Sequence, residues 1–390
     1  MLINGKRALA YIVKVDDITP IDGADNIELA HVGGWNVIIR KQEFSVGESA
    51  VFFEIDSKLP EKEWSEFLRP KHFKVKTYKL NKFGVVGQGL LLSTDILPEG
   101  TSIEINTDVT DVLGVTYAVK EDNRRKANHD PNAKYKNMAS RHKKLVKYKW
   151  FRWLMKREWG KKLLFVFLGK QKDKPKQWPS WIKKTDEERI ENMTWVLKDK
   201  EPFVVTEKID GTSTTFFLDN TKRKSEFGVC SRNVRQMDEK QENYHTTEDV
   251  GNVYWEMAFK YNVKDALEKI AKEHNVKQLV LQGETYGASV QGNPYKIDER
   301  RFAAFNLIFD GVRLGSVEAK KTLDAYDIPF VPIIDENYVL PDDFEEFKLS
   351  ADGMSTINNK CRQEGYVYRK VDGSLSFKNV SREFLLKRKD

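Results

Sequence analysis

Residues 204–213 read VVTEKIDGTS, and the reading of the rest of the chain turns on one lysine within them. An apolar run, Val204-Val205, leads into Glu207-Lys208-Ile209-Asp210 and a glycine at 211. Lysine is among the side chains least often buried, because an ammonium taken out of water without a partner is costly. A lysine at the end of such a run, between two carboxylates and beside a turn residue, is held there for its chemistry.

Further along, five more stretches carry polar or aromatic residues in strand-like surroundings. GVCSRNVRQ (228–236) supplies Arg232, QGETYG (282–287) supplies Glu284 and RFAAFNLIFDG (301–311) supplies Phe305. EGYVYRK (364–370) supplies Glu364 and SLSFKNVS (374–381) supplies Lys378. With K-x-D-G at 208–211, this set resembles, in kind and in order, the motifs of the covalent nucleotidyltransferases, the superfamily of ATP-dependent DNA and RNA ligases and GTP-dependent capping enzymes. The resemblance implies that Lys208 attacks the α-phosphate of a nucleotide and forms a lysyl-AMP phosphoramidate. It places Glu207 beside the adenine, Phe305 stacked on it, Glu284 on the ribose, and Arg232 and Lys378 on ribose or phosphate oxygens. Lys378 would neutralise charge building on the α-phosphate, which makes it catalytic together with Lys208. Asp210, Glu284 and Glu364 would hold the waters of a metal, and carboxylates with water suit Mg²⁺ or Mn²⁺. An unperturbed lysine has a pKa of about 10.4, so the attacking amine needs nearby positive charge to lose its proton, from the metal and from Lys378. Two positions depart from some relatives: Ser213 stands in place of an asparagine, and Ser376 in place of the first lysine of a K-x-K pair.

Upstream, short β-rich runs recur: ALAYIVKV, IELAHVGGWNVIIR, ESAVFFEI and VVGQGLLLS, separated by turn signals such as Gly33-Gly34. This spacing predicts a small β-barrel. The stretch PIDGADNIELAHVGGWNVIIRKQEFSVGESAVFFEID (20–56) resembles the OB-fold module of certain tRNA-binding domains and of one branch of RNA ligases. Downstream, Thr185-Asp186-Glu187-Glu188 has capping-box spacing and predicts a helix from about Asp186. Beyond it, strands (FVVTEK, TTFFL, QLVLQGETYG, RFAAFNLIFDG, EGYVYRK, SLSFKNV) alternate with helical stretches (DVGNVYWEMAFKY, VKDALEKIAKEHN, VEAKKTLDAY). The predicted class is α+β: an OB-like barrel over 1–119, a basic connector over 120–184, and an ATP-grasp-like ligase domain of antiparallel sheets with flanking helices over 185–390.

Charge singles out the connector. Residues 120–184 hold 22 Lys and Arg against 5 Asp and Glu, an excess larger than the net +7 of the whole chain, so the remainder is acidic. A basic block with Trp150, Phe151, Trp153, Trp159 and Trp178 interleaved suits a polyanion, its rings stacking on bases or packing inward; a membrane surface is the weaker alternative. No stretch approaches the roughly 20 apolar residues of a membrane span, and two cysteines, Cys230 and Cys361, build neither a disulfide framework nor a zinc cluster. A cytoplasmic protein is expected. P-loop, H-E-x-x-H, EF-hand and G-x-S-x-G motifs are all missing.

The last matched motif lies 12 residues from the end of the sequence, too few for the C-terminal OB domain of DNA ligases and capping enzymes. An N-terminal OB-like module and a WPSWIKKTDEERIEN stretch resemble instead the branch of RNA ligases sometimes called family 5. The expectation is an ATP-dependent ligase acting on RNA with Mg²⁺ or Mn²⁺, with no motif for an obligate protein partner. A DNA ligase, a capping-type enzyme and a nucleic-acid-binding protein with a decayed ligase domain are the alternatives.

Overall fold

The computed structural model describes residues 1–3, 6–118, 135, 143–168, 177–236 and 252–387. The chain forms two compact units, one made of residues 1–118 with 176–390 and the other of residues 119–175.

The N-terminal part of the first unit is built from two three-stranded antiparallel sheets. Ser49–Phe53 pairs with both Ala10–Lys14 and Leu90–Ser93, and Ile27–Val32 pairs with both Asp17–Pro20 and Trp35–Arg40. Side chains alternate across a strand, so the apolar pattern reports which faces are covered. Trp35–Arg40 alternates buried and half-buried positions and turns one face to the barrel interior. AYIV and AVFF are apolar at every position because both of their faces are covered. Tyr11, Val13, Ala50 and Phe52 join the core shared with the second sheet, whereas Ala10, Ile12, Val51 and Phe53 pack on Leu59, Leu68 and Phe73. The run VVGQGLLLS breaks into Val85–Gly87 and Leu90–Ser93, with Gly89 between them at φ 97°, where a Cβ would collide with the Phe52 ring. The Gly33-Gly34 hairpin tip touches the ligase part of the chain. Gly34 N–H donates to Glu191 O at 3.1 Å, and a Cβ on Gly34 would lie 2.6 Å from the Glu191 Cα.

The ligase part has two five-stranded sheets. In the first, the order is Glu188–Arg189, Ser376–Val380, Gly365–Lys370, Phe203–Glu207 and Ile333–Tyr338, antiparallel except for the first pair. In the second, it is Glu226–Ser231, Thr212–Asp219, Gln278–Gly287, Arg300–Phe309 and Val312–Arg313, antiparallel throughout. Helices Val253–Lys260, Val263–Glu273 and Ser316–Asp324 cover the second sheet. Val263, Ala266, Leu267, Ile270 and Ala271 recur at helical spacing and form the buried face of their helix. Asn252 caps the first of these helices, accepting from Tyr254 N at 3.2 Å and Trp255 N at 3.4 Å. Phe203, Tyr368 and Phe377 fill the core of the first sheet with Phe347. The expected class, a β-rich N-terminal domain followed by a mixed α+β ligase domain, is the one observed.

The helix expected from Asp186 does not form. Residues 183–187 have no regular secondary structure, Glu188–Arg189 is a short strand, and a 3₁₀ turn follows at Ile190–Asn192. The carboxylates of this stretch take other partners, distant ones for Glu187 and a local one for Glu188. Glu187 accepts from Arg369 at 2.9 Å and from Ser376 Oγ, and Glu188 accepts from Asn192 at 2.7 Å. Trp178, Trp181 and Ile182 pack on Phe217, Cys230 and Val280 rather than lying free.

In the second unit, helices Lys149–Met155 and Glu158–Leu168 enclose a small core around Phe151 and Leu164. Trp150, Trp153 and Trp159 stay exposed, with the Arg157 guanidinium 4.0 Å from the Trp153 ring. Among the described residues no helix is long and apolar enough to cross a membrane.

Candidate active site

Lys208 lies where the chain leaves one sheet for the other. Strand Phe203–Glu207 belongs to the first sheet and strand Thr212–Asp219 to the second, so Lys208-Ile209-Asp210-Gly211 is the crossover. Three backbone contacts fix it. Lys208 N–H donates to Gly365 O at 2.9 Å, and Asp210 N–H donates to the hydroxyl of the fully buried Tyr295 at 2.8 Å. At Gly211 a Cβ would lie 2.3 Å from Thr285 O and 2.9 Å from Glu284 Cγ, so only glycine lets the crossover approach the Glu284 strand.

The Lys208 amine pairs with Glu364 Oε1 at 2.7 Å. Burial pulls this amine down, but Glu364 first, then Glu284 and Asp210, outweigh it and hold the pKa above the ordinary lysine value. Without a further cation, Lys208 is therefore an ammonium and not yet a nucleophile. Burial, reinforced by Glu364 and Asp210 against the opposing pull of Lys208 and Arg232, pushes the Glu284 carboxyl up to about 8. Glu364 Oε2 is buried with no hydrogen-bond partner among the described residues. Two carboxylates, Glu364 and Asp210, and the acid of Glu284 thus act on one amine. Among the described residues no three His, Cys, Asp or Glu side chains are grouped as direct ligands; the unpartnered Glu364 Oε2 is the atom here that the water shell of a divalent cation would satisfy.

The raised Glu284 has a testable consequence. The native carboxyl holds its proton to higher pH than the unfolded one, so stability falls as pH rises from the ordinary carboxylate range through about 8. Metal-free protein should lose stability over that interval through this group, by an amount on the order of a few kcal/mol, about 4–5 at most. Urea unfolding at both ends of the interval should show a flatter pH dependence for Glu284→Gln than for the parent. Parallel curves would contradict the assignment.

The other motif residues divide into two groups. Ser213 is directly opposite Glu284 in the sheet, which sets both on one face. Phe305 is half-buried and is the extra residue of a β-bulge, because Ala304 pairs with Gly283 and Asn306 with Gln282. Bulges re-aim side chains. Arg369 holds this one through its bond to Phe305 O at 2.7 Å. Lys378 and Arg232 meet at Asp186, at 3.2 and 3.4 Å. Burial lowers the Lys378 amine; Asp186 opposes this, while the charges of Arg189 and Lys208 add to it.

The Glu207 side chain is engaged by a different set of partners. Its carboxylate accepts from Ser355 Oγ at 2.5 Å, from Thr356 N at 2.9 Å and from Thr356 Oγ1, so it anchors the 355–356 loop beside the motif. Tyr295, Ser355 and Thr356 have no motif to mark them, and Asp186 is marked in the sequence only as the start of a helix.

Comparison with known proteins follows the same division of the chain. A family model of an OB-fold domain matches residues 9–94, and the RNA ligase family model matches residues 201–389. No curated protein matches the sequence. Among solved structures, an apo mutant of Naegleria gruberi RNA ligase is 27% identical, with 98% of each chain covered and a TM-score of 0.72. A mutant of the same ligase with AMP and Mn is 27% identical, covering 98% of this chain and 99% of that one, at a TM-score of 0.71. Another mutant, with ATP and Mn, is 27% identical, covering 97% and 98%, at a TM-score of 0.70. The chain thus carries an OB-fold domain at residues 9–94 and a domain of the RNA ligase family at residues 201–389.

Proposed function

We propose that this protein is an ATP-dependent RNA ligase that joins a 5′-phosphate to a 3′-hydroxyl through a lysyl-AMP on Lys208. The observation that carries the reading is the Lys208–Glu364 ion pair at the sheet crossover, inside a set of carboxylates and near the second lysine, Lys378. In the first step the Lys208 Nζ, having lost a proton, bonds to the α-phosphorus of ATP and pyrophosphate leaves. A 5′-phosphate oxygen then displaces Lys208 from the AMP phosphorus. In the last step the 3′-hydroxyl attacks the activated 5′-phosphate and AMP leaves.

Asp210, Glu284 and Glu364 are the residues to hold a Mg²⁺ or Mn²⁺ ion through water. A bound cation supplies the positive charge that lowers the Lys208 pKa and screens the phosphate. Glu364 positions the amine by its hydrogen bond, and Lys378 offsets negative charge growing on the phosphate oxygens. Arg232, Ser213 and Glu284 are the polar groups for ribose and phosphate, and Phe305 is the candidate adenine platform. With the Glu207 carboxylate bound to Ser355 and Thr356, its contribution near the base would come through the loop it anchors.

The basic 120–184 segment would grip the RNA. The exposed Trp150, Trp153 and Trp159 among lysines and arginines support this, since bases stack on such rings while the cations meet phosphate. Nick sealing with ATP and Mn²⁺ on four matched duplexes, with RNA or DNA varied independently on the 3′-hydroxyl and 5′-phosphate sides, tests the reading. Sealing that requires ribonucleotides on the 3′-hydroxyl side is expected. Equal sealing of all-DNA nicks would overturn it.

A further inference from the structure

Asp186 is surrounded by more positive charge than one carboxylate can balance. Arg7 Nη1 lies 3.1 Å from its Oδ2, Arg232 Nη2 3.4 Å from the same oxygen, and Lys378 Nζ 3.2 Å from Oδ1. These three cations come from three distant segments, and Arg7 comes from the N-terminal part of the chain that carries the barrel. Arg7 Nη2 is shared with Glu54 at 3.3 Å, and Arg7 Nε is buried with no hydrogen-bond partner among the described residues. Within the cluster Lys378 is only 17% exposed, whereas Arg232 at 55% and Asp186 at 42% reach solvent. The cluster adjoins the reacting amine, since Lys208 and Lys378 are within electrostatic reach of each other, as are Arg232 and Glu284.

We propose that Arg7, Arg232 and Lys378 form a phosphate-binding site shared by the N-terminal and ligase parts of the chain, with Asp186 as its resident counter-ion, displaced when a phosphoryl group arrives. The proposal rests on the ligase reading above, which supplies two sources of that chemistry: the pyrophosphate end of ATP and the 5′-phosphate of RNA. A phosphate brings more charge than a carboxylate and one more oxygen, which suits two guanidinium forks and an ammonium. Asp186 is 42% exposed, so its side chain has solvent to turn into. What it holds in the resting chain is the arrangement of the cations. The added element is Arg7, which no motif marks.

Calorimetric titration of full-length protein without added metal tests this, using inorganic pyrophosphate in one arm and a 5′-phosphorylated against a 5′-hydroxyl RNA oligonucleotide in the other. Asp186→Asn, which keeps the shape and removes the charge, should tighten binding about tenfold in at least one arm. Arg7→Gln should weaken the same arm by a similar factor. A gain with pyrophosphate alone assigns the site to the nucleotide, and a gain with the 5′-phosphate alone assigns it to the RNA end. Unchanged or weaker binding by Asp186→Asn in both arms, at unchanged melting temperature, would overturn the proposal. Should that variant unfold, Arg7→Gln decides by itself: parental affinity in both arms would overturn the site. AMP transfer by the parent protein is read separately, so failure of the ligase reading would be visible on its own.

Discussion

Lys208→Arg should fold, keep a cation against Glu364, and transfer no AMP from ATP. Arginine retains the positive charge that the surrounding carboxylates require, but its guanidinium does not deprotonate in proteins and so cannot attack phosphorus. Lys208→Ala should be equally inactive, and it also leaves Glu364 without its partner at 2.7 Å. For both variants transfer of label from α-labelled ATP should fall at least about 10³-fold, as expected for loss of the nucleophile itself. The two should differ in stability, with the alanine variant the weaker because it strands a buried carboxylate. RNA already carrying AMP on its 5′-phosphate bypasses the missing amine, so both variants should still seal it measurably. Residual AMP transfer by Lys208→Arg would show that another group is the nucleophile.

Gly365→Ala should cost both stability and activity, although the added methyl touches no substrate. Gly365 has φ 139°, and a Cβ there would lie 2.1 Å from Asn379 O and 3.0 Å from Val380 Cα. That neighbour is backbone of the paired strand, so the Gly365–Lys370 and Ser376–Val380 strands must part to admit it. Strain and lost pairing together should destabilise the protein by about 3 kcal/mol. The same movement displaces Glu364, the residue before one strand, and Lys378 on the other, and it weakens the bond from Lys208 N to Gly365 O. AMP transfer should fall at least about tenfold, since a small misplacement of reacting groups has a large effect on rate. Gly373→Ala is the matched control: its φ is 73°, but the added atom meets nothing within 4 Å. It should cost only about 1 kcal/mol and leave transfer intact. Equal effects of the two substitutions would mean that backbone strain alone, and not strand approach, explains the loss.

The parts of this site that were legible in the sequence are those where a local pattern and a chemical need coincide. Gln278–Gly287 is read correctly from end to end because its residues are apolar and β-branched up to the polar QGET segment that carries Glu284. The doubly covered strands of the N-terminal domain are legible for the same reason, an unbroken apolar run. Strand Ile333–Tyr338 gives no such signal: it is an edge strand, mostly exposed, with the sequence IIDENY. Asp186 and Glu187 mislead, since capping-box spacing is a local preference, and three basic residues far away in sequence compete for one carboxylate while Arg369 takes the other. The bulge at Phe305 arises from pairing between strands and leaves no trace in spacing. Tyr295 and the Ser355-Thr356 loop act by hydrogen bonding across the fold, to Asp210 N and to the Glu207 carboxylate. Long-range polar contacts of that kind carry no periodicity to read.

The most direct test of the central claim is to incubate the protein with α-labelled ATP and Mn²⁺ in the absence of RNA, digest it and locate the label. The account predicts one labelled peptide, modified at Lys208, with the acid lability of a phosphorus–nitrogen bond. Label on Lys378 or Ser213, or an acid-stable linkage, would contradict it.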